Sequence, residues 1–80
     1  MADELARLTE LFRIVFDDDT LVVTPETTAA DVSGWDSLTH VTLMLNVERE
    51  FGVRFSSREV AMLKNVGELV QLVASRQHVR

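Results

Sequence analysis

Residues 34–52 constrain the fold more than any other stretch. They carry a helix with a marked start, a marked stop and too much apolar surface for one neighbour. Gly34, Trp35 and Asp36 form a turn-prone lead-in, Ser37 to Phe51 read as helix, and Gly52 falls at the C′ position. Asp36 is placed to be the N-cap, its carboxylate accepting first-turn N–H groups, and Ser37 is then the first helical residue. At about 100° per residue, Leu38, Val41, Leu43, Met44, Leu45, Val47 and Phe51 spread over roughly 220°. A bundle helix needs a stripe of about 100° to 140°. Two arrangements account for the excess. In one, the helix is central and covered on most sides. In the other, Leu43, Val47 and Phe51 face the core, while Leu38, Val41 and Leu45 partly form a docking surface beside Ser37. The pattern alone leaves both open.

The remaining periodicity is also helical. Leu5, Leu8, Phe12, Val15 and Phe16 place a first helix over residues 3–16, ended by Asp17, Asp18 and Asp19, whose charges oppose the dipole at a C-terminus. Ser56 and Glu59 have capping-box spacing ahead of a short helix from Glu59 to Leu63, with Val53 and Phe55 anchoring the connection before it. Asn65 caps a last helix whose apolar face is Leu69, Val70, Leu72 and Val73, with Glu68 in its first turn. The polar residues 75–80 read as a fraying tail, so the core of the single domain spans residues 3–75. Residues 17–36 are left as a long loop. A loop of that length in a small domain is functional or a misread element. Leu21, Val22 and Val23 inside it read as a segment tucked against the core rather than a strand. The fold class is all-α: three main helices, one short helix and a long first loop.

Composition narrows the chemistry. Eighty residues bearing a net charge of −5 lack the basic patch that nucleic acid needs. With no cysteine there is no thiolate, disulfide or cysteine-ligated zinc. The Asp17–Asp19 run, with no companion ligands, reads as a solvated helix exit, not a metal site. The opening Met-Ala-Asp-Glu is not a signal peptide, and no apolar run is of membrane-spanning length; a soluble, cytoplasmic monomer is the expectation. The three scattered glycines form no phosphate-binding loop.

Ser37 is a nucleophile, a modification site or part of the cap. Catalysis by serine needs a base and a group that orients it. His40, three residues on, is in reach, but no orienting carboxylate accompanies it and the Gly-x-Ser-x-Gly elbow is missing. An enzyme is therefore not the reading, and His40 is expected to be a partly exposed surface residue. A phosphate on Ser37 would meet the favourable end of the helix dipole.

Asp36-Ser37-Leu38, the helix ending Glu48-Arg49-Glu50-Phe51-Gly52-Val53, and the later Phe55, Glu59 and Val66-Gly67-Glu68-Leu69 together resemble the acyl carrier proteins. The resemblance covers about residues 5–75. It implies a four-helix bundle with a long first loop. It also implies a 4′-phosphopantetheine arm joined to Ser37 by a phosphopantetheinyl transferase, with the arm's thiol holding an acyl group as a thioester. Its partners would be that transferase and enzymes that load and remove the acyl unit, drawn to the carrier's acidic groups. Leu38, Val41, Leu45, Glu48 and Trp35 are the expected docking residues, with Trp35 also read as packing the loop. Thr39 and Thr42 stand where fatty-acid carriers bear carboxylates, and Arg49 interrupts the acidic end of the helix. The Trp-Asp-Ser-Leu-Thr-His-Val form looks more like carriers of polyketide, nonribosomal peptide or other specialised pathways. Fatty-acid, aminoacyl and D-alanyl carriers are the alternatives.

Overall fold

The computed structural model describes residues 2–77. Four helices follow in order: α1 (Ala2–Val15), α2 (Ser37–Phe51), α3 (Ser57–Ala61) and α4 (Val66–Gln77), with one 3-10 turn at Ala29–Asp31 and no strand among the described residues. The core lies between α1, α2 and α4. Leu8, Phe12, Leu43, Val47, Val66, Leu69 and Val73 are almost completely withdrawn from solvent. Each such side chain contributes about 1.5–3 kcal/mol of transfer free energy, so this set dominates the stability of a small domain.

Each helix starts and stops where local chemistry directs. Asp17 takes a left-handed backbone at φ 52° and Asp18 donates its N–H to the Arg13 carbonyl at 3.0 Å, which closes α1. The acidic run then turns back on itself, because the Asp18 carboxylate accepts both the N–H and the hydroxyl of Thr20. Those two bonds, the hydroxyl first, hold the Asp18 carboxyl below its ordinary range. At the end of α2, Gly52 sits at φ 66° with its N–H on the Glu48 carbonyl, a left-handed position that glycine occupies without steric cost. The Ser56–Glu59 box forms in both directions, at 2.9 and 3.1 Å, and starts α3 at Ser57. Expectation placed that helix two residues later; the box residue Glu59 is its third residue, not its first. Asn65 caps α4 by accepting the Glu68 N–H at 2.9 Å.

Residues 17–36 are a docked loop. Arg13 Nε donates to the Leu21 carbonyl, Val23 and Val32 are buried, and Val22 points outward. The loop also covers the start of α4. The Val66 and Gly67 N–H groups donate to the carbonyls of Thr27 and Pro25 at 2.9 and 2.8 Å. A Cβ on Gly67 would lie 2.9 Å from the Pro25 oxygen, so this approach needs glycine. The 3-10 turn was not anticipated. Its signal was the Thr28–Asp31 spacing: the Asp31 carboxylate accepts the Thr28 N–H and hydroxyl.

The chain's end departs from expectation more clearly. α4 does not fray at Ser75 but runs to Gln77, and the Arg76 guanidinium pairs with Glu59 and donates to the Arg54 carbonyl. That pair ties the last helix to α3. The rest of the expected tail, residues 78–80, lies outside the described residues.

Candidate functional site

Ser37 is the first residue of α2 and is exposed. Asp36, in extended backbone, accepts the Thr39 N–H at 2.9 Å and the Thr39 hydroxyl at 3.0 Å, while its own carbonyl starts the helix by accepting the His40 N–H at 2.8 Å. The Thr39 N–H and then its hydroxyl hold the Asp36 carboxyl below its usual range, so it stays ionised at neutral pH. The cap leaves the Ser37 hydroxyl facing solvent.

Beside that hydroxyl, α2 and α3 flank an open groove of about 770 Å³. Ser37, Val41, Leu45 and Met44 line one wall; Val60, Ala61 and Leu63 line the other. Leu38, Val41 and Leu45 are 79, 53 and 57% exposed, while Leu43, Met44, Val47 and Phe51 are buried. The wide apolar arc of α2 is therefore two faces: one packs against the core and the other is open next to Ser37. Met62, the C-cap residue of α3, is another exposed apolar side chain, outside this groove.

Two residues expected at a docking surface are committed inward. Trp35 is half-buried, edge-on to Phe12 at 5.2 Å and tilted against Phe16 at 5.9 Å. Its indole faces the bundle because the loop carries it back over α1. The Glu48 carboxylate accepts the Phe55 N–H at 2.8 Å, pinning the α2–α3 connection. Glu48 lines the groove, with one carboxylate oxygen held by the backbone.

His40 is partly exposed, as expected, but its ring has a structural role that was not expected. Its half-buried ring stacks on Trp35 at 5.9 Å, Nδ1 accepts the Trp35 Nε1–H at 3.0 Å, and Nε2 lies 3.0 Å from the Val60 carbonyl. An acceptor at Nδ1 requires the hydrogen on Nε2, which then donates to Val60, so the neutral tautomer satisfies both bonds. Both nitrogens are taken, and neither is free to act as a base on Ser37. No spacing rule reveals this role, because Val60 is twenty residues away.

The site is thus a hydroxyl at a helix mouth, above an apolar groove, with no base in position among the described residues. Comparison with known proteins gives this arrangement a class. The family described as "Phosphopantetheine attachment site" matches residues 6–73. The chain is 34% identical over 73 residues to the acyl carrier protein of Micrococcus luteus, covering 91% of this chain and 90% of that one. It is 45% identical over 42 residues to that of Renibacterium salmoninarum, a match spanning 52% of each chain, about half the length of that relative. Among solved structures, the holo acyl carrier protein of Geobacter metallireducens superposes with a TM-score of 0.86 at 41% identity, covering 96% of this chain and 94% of that one. The chain belongs to the acyl carrier protein family. The family model describes a phosphopantetheine attachment site, and the solved relative is the holo form of its carrier. No described helix is long and apolar enough to cross a membrane, and no group of described residues is arranged to hold a metal ion.

Proposed function

We propose that Ser37 is the attachment point of 4′-phosphopantetheine and that the chain presents an acyl intermediate on that arm to biosynthetic enzymes. The observation that carries this is the exposed Ser37 hydroxyl, first in α2 and open beside the groove. The surroundings suit the group. The N-terminal end of a fifteen-residue helix favours a phosphodiester's negative charge, and the apolar wall of Val41, Leu45 and Met44 is compatible with an acyl chain. When bound, the group supplies a thiol on a flexible tether, which raises the local concentration of cargo at each docked enzyme.

Within this reading, Leu38, Val41 and Leu45 form the docking face. The inward contacts of Trp35 and Glu48 set the shape of the site from behind. The partners are a phosphopantetheinyl transferase and enzymes that load and remove the acyl unit. The carrier works as a cytoplasmic monomer, and one carrier domain accounts for residues 1–80. The pathway is a specialised one, of the polyketide or nonribosomal peptide kind. Support comes from Thr39 and Thr42 at positions where carriers of fatty-acid synthesis bear carboxylates. Both threonine hydroxyls are engaged locally on α2, Thr39 donating to Asp36 and Thr42 to the Leu38 carbonyl.

Incubation with coenzyme A and a promiscuous phosphopantetheinyl transferase, followed by intact-mass measurement, tests the assignment. The expected result is a gain of one phosphopantetheine by the natural chain and none by Ser37→Ala. An equal gain by the variant moves the attachment elsewhere. No gain by either leaves an unmodified helical interaction module as the better reading.

A further inference from the structure

The chain is acidic overall, but its charge is divided along the sequence. Residues 1–36 hold nine Asp and Glu against two Arg, a net −7; residues 37–80 hold four Glu against six Lys and Arg, a net +2. Ser37 stands at the boundary. The acidic half forms α1 and the first loop and reaches the groove through Ala29, Trp35 and Asp36, whereas the two helices that wall the groove, α2 and α3, come from the other half.

Hydrogen bonding sharpens this division. Each of the four carboxylates beyond Ser37 has an internal partner. Glu48 accepts from the Phe55 N–H, Glu50 pairs with Arg7, Glu59 accepts from Ser56 and pairs with Arg76, and Glu68 accepts from the Lys64 N–H. The side chains of Arg49 and Arg58 are exposed and make no hydrogen bond or ion pair with the described residues. Arg49 is also in register with the open apolar face. Val41, Leu45 and Arg49 recur every four residues, so the stripe that begins at Leu38 ends in a guanidinium about 18 Å along the axis from Ser37. That span falls within one ordinary protein interface.

We propose that the phosphopantetheinyl transferase acting at Ser37 meets this stripe with an apolar patch that ends in a carboxylate opposite Arg49. This is the reverse of the basic docking patch that the net charge of −5 invites. The argument is charge complementarity. A basic patch laid along α2 would meet an unpaired Arg49 at its far end, while the groove-side carboxylates Asp36 and Glu48 are held in place by hydrogen bonds from Thr39 and Phe55. A carboxylate there gives Arg49 its partner and fixes the register of the apolar contact. The proposal rests on Ser37 being the modified residue. Arg49 also stands in the last turn of α2, where it favours the helix dipole, so a purely structural role is the competing explanation.

The test uses the phosphopantetheinyl transferase of the source organism, coenzyme A and intact-mass kinetics, at low and at high salt. Arg49→Glu is expected to lower kcat/KM for modification about tenfold at low salt, through KM, with most of the loss removed at high salt. Arg49→Gln should fall between, and Arg49→Lys should stay near the natural chain. Reversing the opposing carboxylate on the transferase should restore the rate with Arg49→Glu. Unchanged or faster modification of Arg49→Glu overturns the proposal. So does a loss that persists at high salt and tracks a lowered melting temperature, which is the signature of the dipole role alone. An unmodified natural chain removes the Ser37 assignment itself, and this proposal with it.

Discussion

The two faces of α2 are built from the same kinds of residue and have opposite fates. Leu43, Met44, Val47 and Phe51 lie buried with the apolar residues of α1 and α4, while Leu38, Val41 and Leu45 look into solvent beside Ser37. Side-chain chemistry does not separate them, since a leucine heads each face. Neighbours do. α1 and α4 are long enough to cover one side of α2, whereas α3 has only five residues and leaves the groove open. The difference teaches that a short helix opposite the Ser37 end of α2 keeps one apolar face from becoming core.

The most direct way to break this comparison is to truncate a leucine on each face. Leu43→Ala removes a fully buried side chain and should destabilise the fold by about 3 kcal/mol. Leu45→Ala, more than half exposed, should stay within about 0.5 kcal/mol. Denaturant melts followed by helical circular dichroism measure both. Leu38→Asp and Val41→Asp extend the contrast: each should slow Ser37 modification while leaving the melt nearly unchanged. If both collapse the fold, the outer face is core and the docking assignment fails.

Sequence spacing revealed the parts of this structure that local hydrogen bonds govern. The Asp36 and Asn65 caps, the Ser56–Glu59 box and the Gly52 terminus all join residues within a few positions of each other. The 220° arc of α2 was legible too, but not its division, because periodicity reports where apolar residues point and not what covers them. Distant pairings were the losses. His40 meets Val60 across twenty residues, Arg76 meets Glu59 across seventeen, and Glu48 turns inward to Phe55 although its type and position suit a surface. Each depends on how α3 returns against α2 and α4, which no local rule encodes.

His40 stands between the two faces and sharpens the comparison at the next level of effect. It bonds the loop before Ser37, through Trp35, to α3, through Val60, and so positions one wall of the groove. His40→Ala removes both partners and leaves the Trp35 N–H and the Val60 carbonyl to find water, at a cost of about 1–3 kcal/mol. Emission from Trp35, the chain's single tryptophan, should shift to the red as the indole loses its stacked ring. The natural spectrum in His40→Ala would show that α3 is held by packing alone.

The smallest effect concerns the shared origin of both faces, the Asp36 cap. Its carboxyl is held below the ordinary range by the Thr39 N–H first and the Thr39 hydroxyl second. A carboxyl lowered in the folded state favours folding at any pH above its unfolded value, and that contribution disappears as pH falls through the folded value. The start of α2 should therefore weaken only below about pH 4. Glu59 obeys the same sign, lowered first by the Ser56 N–H and next by Arg76, so α3 should loosen over the same range. Asp36→Asn keeps a capping oxygen but cannot titrate. It should cap α2 at neutral pH with a slightly lower melting temperature, and should flatten the acid limb of amide-exchange protection in the first turn of α2 while leaving that of α3 intact. An unaltered acid limb at Thr39 in this variant would mean that the cap is not the titrating element, and that acid reaches α2 through the loosening of α3.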